Sequence, residues 1–193
     1  MRQRRFSAAL SACLVAGVVL IFVCVVSRAA TKRDHLTPLE ADQVREAQII
    51  DKRIDVFIKA AERRLLAMTD PNAANSKQVQ KDIEKWGELP KGTRAELLTD
   101  LAKILDEAIT NIDDLATRDA NNHLLPKALR KLSAASTRFV GQLMPMRDQA
   151  KDETEREALE QTLENAQAII TAANKLPPDV KEKDKGKAEK KKS

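Results

Sequence analysis

The chain has 193 residues and a formal net charge of +5, with 33% charged and only 3% aromatic residues, no tyrosine and five glycines. Scarce aromatics and glycines argue against a strand-rich fold and a glycine-lined phosphate cradle; both cysteines, Cys13 and Cys24, lie in the first 29 residues, so the remainder can build neither a disulfide nor a thiolate metal site. The positive charge sits at the two ends, because residues 30–174 hold 22 basic and 25 acidic side chains, which removes the basic body that a nucleic-acid-binding protein needs.

The chain opens on Arg2, Arg4 and Arg5, and then carries no charged residue until Arg28. A basic start, an apolar middle and small residues at the boundary form an export signal, with Ser27 and Ala29 in the two positions that must be small if cleavage follows Ala29. The apolar run, residues 6–26, also reaches the roughly 20 residues that an uncleaved anchor requires. In either case the leading arginines favour a cytoplasmic N-terminus. Residues 1–29 are therefore a signal peptide or a signal anchor. The body is expected to be periplasmic or secreted if cut after Ala29, and otherwise anchored in the inner membrane with its body outside the cytoplasm.

Residues 30–36 form a linker. Thr37-Pro38-Leu39-Glu40 then announces a helix: the threonine caps, proline suits the first helical position, and Glu40 can reach back to the cap. Val44, Ala47, Ile50, Ile54, Phe57, Ala61, Leu65 and Met68 recur at steps of three and four, which predicts one long amphipathic helix to about Met68. Thr69-Asp70-Pro71-Asn72 stops it. A short helix is predicted over Lys77–Trp86, with Gly87 closing it. Thr93-Arg94-Ala95-Glu96 repeats the capping pattern and opens a helix to about Arg118, with Leu98, Leu101, Leu105, Ala108, Ile112 and Leu115 in a near-heptad seam.

A third long helix is expected from near His123, tolerating Pro126 in its first turn, with a kink or end at Pro145; its stripe is Leu125, Leu129, Leu132, Ala135, Phe139, Leu143 and Met146. A fourth is expected over about Thr154–Lys175, capped by Thr154 with Glu157, with Leu159, Leu163, Ala166, Ile169, Ile170 and Ala173 inward. The segment 177–193, rich in lysine, has nothing to bury and reads as a disordered tail with a weak pull toward anionic surfaces. The predicted fold is all-α: an elongated antiparallel bundle of about four long amphipathic helices and one short helix over residues 37–176, behind an N-terminal apolar export or anchor helix.

Catalytic and cofactor chemistry finds little purchase. The two histidines, His35 and His123, have no glutamate three residues before them, so no Glu-x-x-His di-metal motif exists, and no HExxH occurs. Haem ligation would have to pair His123 with Met68, Met144 or Met146, without a Cys-x-x-Cys-His attachment motif. The acidic pairs Asp106-Glu107, Asp113-Asp114 and Asp152-Glu153 fall on polar faces or helix ends, where solvated charge explains them. No catalytic residue, cofactor or metal site is assigned.

The expected function is that of an exported, non-enzymatic protein of the bacterial cell envelope that binds or scaffolds. Its partner would be an envelope protein, a second copy through helix faces, or a membrane met through the N-terminal segment or the lysine tail. The alternative is a periplasmic ligand-holding bundle (a sensor, carrier or chaperone) with a cavity near Trp86, Phe57 and Phe139. Lys52, Arg53, Lys59, Arg63 and Arg64 on the first helix form a candidate contact surface, or else a solvated face.

Overall fold

The computed structural model describes residues 33–177; the export or anchor segment and the tail beyond Pro177 lie outside the described residues. The chain divides into two units, 1–33 and 34–193, and the helices below belong to the second. Among the described residues there are six α-helices and no strand: α1 Pro38–Glu46, α2 Ile50–Thr69, α3 Lys77–Trp86, α4 Arg94–Arg118, α5 Leu124–Leu143 and α6 Glu153–Asn174. Short 3-10 turns at Ala73–Asn75 and Met144–Gln149 join α2 to α3 and α5 to α6. No helix among them is long and apolar enough to cross a membrane.

The long first helix expected from sequence is two helices. Ala47 leaves the helical region, and Ile49 is extended before α2 begins. Side chains occupy carbonyls that the broken helix frees: Arg53 Nε donates to the oxygen of Ala47 at 2.9 Å, and Gln48 Nε2 to that of Arg45 at 2.6 Å. The chain thereby turns back, and α1 lies on α2 and α3 with its residue 40 opposite residues 63 and 64. The capping boxes at Thr37 and Thr93 both form as expected. At α6 the cap is Asp152, whose carboxylate accepts from the Glu155 amide at 2.8 Å; the cap lies two residues before the Thr154 that the capping pattern implied. At the end of α5, Pro145 falls in the 3-10 turn, where its missing donor costs little.

Helices α2, α4, α5 and α6 form the bundle. Consecutive members run in opposite directions: Arg53 of α2 meets Asn111 of α4, and Arg147 after α5 meets Glu160 of α6. The side-by-side arrangement differs from an all-antiparallel bundle. Arg94, Leu98 and Ala102 of α4 meet Glu155, Thr162 and Asn165 of α6, so these neighbours run parallel. Asp51 and Glu62 of α2 likewise meet Lys127 and Arg138 of α5 in parallel. Helices α4 and α5, although consecutive, pack sparsely on one another, while α6 packs closely on both.

The core joins Ile54, Phe57 and Leu65 of α2, Leu98, Leu101 and Leu105 of α4, Leu132, Phe139 and Leu143 of α5, and Leu159 and Ile169 of α6. Each helix contributes the stripe its sequence period predicts. Helix α4 buries more than its seam, adding Leu97, Ala102 and Ile104, because it is flanked by both α2 and α6.

Candidate functional site

A concave surface lies beside α3. Ser76 caps α3 by accepting from the Val79 amide at 3.3 Å, and the helix ends at Gly87, whose φ of 73° and ψ of −174° suit glycine alone. The following linker, Glu88–Gly92, bends back along the end of α2 with Pro90 buried. Between these parts lies a cleft of about 520 Å³. Val79 and Ile83 of α3, Leu89 of the linker and Leu97 of α4 supply its apolar walls, with Ala67 of α2 at its back. Asp70, Asn75, Gln80, Glu88 and Lys91 supply its polar rim. Lys91 Nζ and Glu88 Oε2 pair at 2.7 Å, which lowers the glutamate's pKa and raises the lysine's.

Behind the cleft wall sits a buried ionic cluster. Glu40 is fully buried, and Arg63 and Arg64 are 3% and 1% exposed. Arg63 Nε donates to Glu40 Oε1 at 2.9 Å, and Arg64 Nη1 lies 2.6 Å from each carboxylate oxygen. The amide of Thr37 adds a third donor at 2.9 Å. The two guanidiniums then reach outward in different directions. Arg63 Nη2 lies 3.0, 3.1 and 2.5 Å from the carbonyls of Trp86, Gly87 and Glu88, where the end of α3 concentrates unpaired acceptors. Arg64 Nη2 donates to the carbonyl of His35 at 2.6 Å. The carboxylate is thus shared by two buried cations, with Arg64 Nε left without a hydrogen-bond partner, and the cations tie the segment before α1 to the segment after α3.

His35 adds a further tie. Its Nε2 meets Glu107 Oε2 of α4 at 2.6 Å, and its Nδ1 lies 3.5 Å from Asp34. Nearby, Lys59 of α2 holds Asp82 of α3 at 2.8 Å, and with Gln78 it keeps that carboxyl below its ordinary value.

This arrangement corrects the contact surface expected on α2. Only Lys52 of that set is exposed. Arg53 is spent on Ala47 and Asn111, Lys59 on Asp82, and Arg63 and Arg64 lie beneath α1. The fold-back of α1 converts a charged face into an inner layer. The periodicity could not reveal it, since Ala47 and Ile50 stand three apart across the break and keep the helical rhythm. A weak signal existed in the doublet Arg63-Arg64, which places adjacent cations against an apolar stripe and asks for a buried acid.

The cavity expected near Trp86, Phe57 and Phe139 is also placed elsewhere. Phe57 and Phe139 are fully buried in the core, Trp86 is 9% exposed at the end of α3, and none of the three lines the cleft. Lys85 Nζ stands 5.7 Å from the Trp86 ring centre. His123 is exposed at the start of α5, Met144 is exposed, and Met68 and Met146 pack on the core. Asp106, Asp113 and Asp114 are exposed, whereas Glu107 holds His35, Asp152 caps α6 and Glu153 pairs with Arg156. Among the described residues no group of three or more histidine, cysteine, aspartate or glutamate side chains is placed to hold a metal. Comparison of the chain with known protein families, with curated proteins and with solved structures gave no match.

Proposed function

We propose that this chain is an exported, non-enzymatic helical-bundle protein of the bacterial cell envelope that acts by binding, and that the cleft beside α3 is its contact site. The observation that carries the proposal is the cleft itself, in which Val79, Ile83, Leu89 and Leu97 stand around a concave surface rimmed by polar groups. Such a mixture suits an apolar segment oriented by a few polar contacts. The export assignment rests on the arginines before residues 6–26 and the small residues Ser27 and Ala29. The rigid support is favourable too, because the wall of the cleft is backed by Arg63 and its three carbonyl acceptors.

A photo-crosslinking residue placed at Ile83, with a control at the exposed Glu157, tests the reading in cells. A discrete adduct from Ile83 and none from Glu157 is the expected result. Equal or absent labelling overturns it. Fractionation with intact-mass measurement tests the address: a chain starting at Ala30 or a full-length membrane form is expected, and a full-length cytoplasmic form overturns the assignment.

A second reading, a ligand-holding bundle, draws on the size of the cleft, about 520 Å³, which lies in the range of small-molecule sites of roughly 300–1,000 Å³. Native mass spectrometry separates the two readings, since a retained small molecule adds a few hundred daltons and a partner chain adds far more.

A further inference from the structure

Residues Asp34–Glu46 touch both the bundle and the wall of the cleft, through α2, through Glu107 of α4 and through Gly87 at the end of α3. Leu36 is buried in the core, His35 grips Glu107, and Glu40 enters between Arg63 and Arg64. Arg63 is the shared member. One edge of its guanidinium is held by Glu40, and the other gathers the carbonyls of Trp86, Gly87 and Glu88. Glu88 and the linker after it line the cleft. Leu39 of α1 also packs at Gly87, where its Cδ1 lies 3.1 Å from the place a Cβ would take.

Consider the arm lifted away. The carboxylate of Glu40 leaves with it, and with the cover of α1 gone the two guanidiniums open to water. Freed of Glu40, Arg63 can turn from the three carbonyls toward that water. In turning it releases the end of α3, whose carbonyls have lost their donor. The linker then loses the contact that fixes its path along α2. Arm docking and cleft shape are therefore two descriptions of one equilibrium, and whatever favours the closed cleft favours the docked arm to the same degree.

We propose that Asp34–Glu46 is a strap that sets the binding-competent shape of the cleft, so that its docking or release regulates binding there. The regulatory part of this proposal rests on the binding reading of the cleft given above; the mechanical coupling does not.

The test uses the full chain, with Glu40→Gln and Arg63→Lys. Hydrogen exchange is read at the amides of residues 83–87, and emission is read from Trp86, the single tryptophan. Glu40→Gln should speed exchange both in the arm and at residues 83–87, by at least about tenfold, and shift the tryptophan emission. Arg63→Lys keeps a cation for Glu40 but cannot reach three carbonyls, so it should loosen residues 83–87 while the arm stays protected through Arg64. Faster exchange confined to the arm in both variants overturns the strap. Faster exchange spread evenly over α4, α5 and α6 also overturns it, since Glu40 would then serve the whole fold. The crosslink from Ile83 separates the two proposals. Its absence in the wild type defeats the binding reading and leaves the coupling standing; its undiminished presence in Glu40→Gln defeats the strap and leaves the binding reading standing.

Discussion

The hydroxyl of Thr162 on α6 donates to the main-chain carbonyl of Leu98 on α4 at 3.0 Å, in a spot fully closed to solvent. The same hydroxyl lies 2.7 Å from the carbonyl of Ala158 in its own helix, so its one proton is shared between the two acceptors. The first contact fixes the register of two parallel helices at the centre of their interface. Thr162→Val keeps the shape and removes the donor, and should cost about 1 kcal/mol in urea unfolding. A cost indistinguishable from zero would show that apolar packing alone sets the register.

Glu40→Ala should be far more damaging. It leaves Arg63 and Arg64 buried without their carboxylate, and a loss of about 3–5 kcal/mol is expected from denaturant titration. It also removes one half of the capping box with Thr37.

Gly87→Ala is predicted to destabilise by about 1–3 kcal/mol, because φ of 73° with ψ of −174° is a region that side-chain-bearing residues avoid. The added methyl would also press on Leu39. Thermal melting checks it, and a variant as stable as the wild type would mean that the linker can take another path.

Two neighbouring substitutions discriminate between the sequence-derived start of α6 and the observed one. Asp152→Ala should cost about 1 kcal/mol, since its carboxylate holds the Glu155 amide. Thr154→Ala should be close to neutral, since Thr154 is exposed within the first turn. The reverse order would restore the Thr154 cap.

Acid should weaken the bundle partly through Asp51. Its carboxylate accepts from Lys127 at 2.8 Å, and that hydrogen bond, assisted by the charges of Lys127 and Lys131, holds its pKa below the ordinary carboxylate value. A folded value below the unfolded one gives stability that is present above the unfolded pKa and is lost as pH falls through the folded pKa. Melting temperature should therefore fall more steeply for the wild type than for Asp51→Asn as pH drops through and below the ordinary carboxylate range. Parallel profiles would show that the pair contributes nothing to folding.

Most helix boundaries were legible in the sequence. Lys77–Trp86 and the helix ending at Arg118 agree with the residue pattern because caps and stops are local chemistry, written within four or five residues of the event. The side chains that line the core followed from the period of three and four. What escaped was everything decided between distant segments. The break at Ala47–Ile49 carries no glycine or proline, and the stripe continues through it. Glu40 read as a capping acid, which it is, yet its second face meets cations 23 and 24 residues away. The cleft depends on where the linker after Gly87 lies, and neither period nor propensity specifies that path.

The pairing of parallel neighbours bears on the order in which the molecule can close. Helix α4 finds little of its cover in α5, which follows it directly, and more of it in α6, the last of the described helices along the chain. Until residues 153–174 join, α4 and α5 are covered chiefly by α2, and the faces that α6 packs against stand open. Helix α6 is thus the bolt of the assembly. Any machinery that handles the chain before that helix is available meets a loose, sticky thread rather than a finished body, and a chain truncated so as to lack residues 153–174 cannot lock.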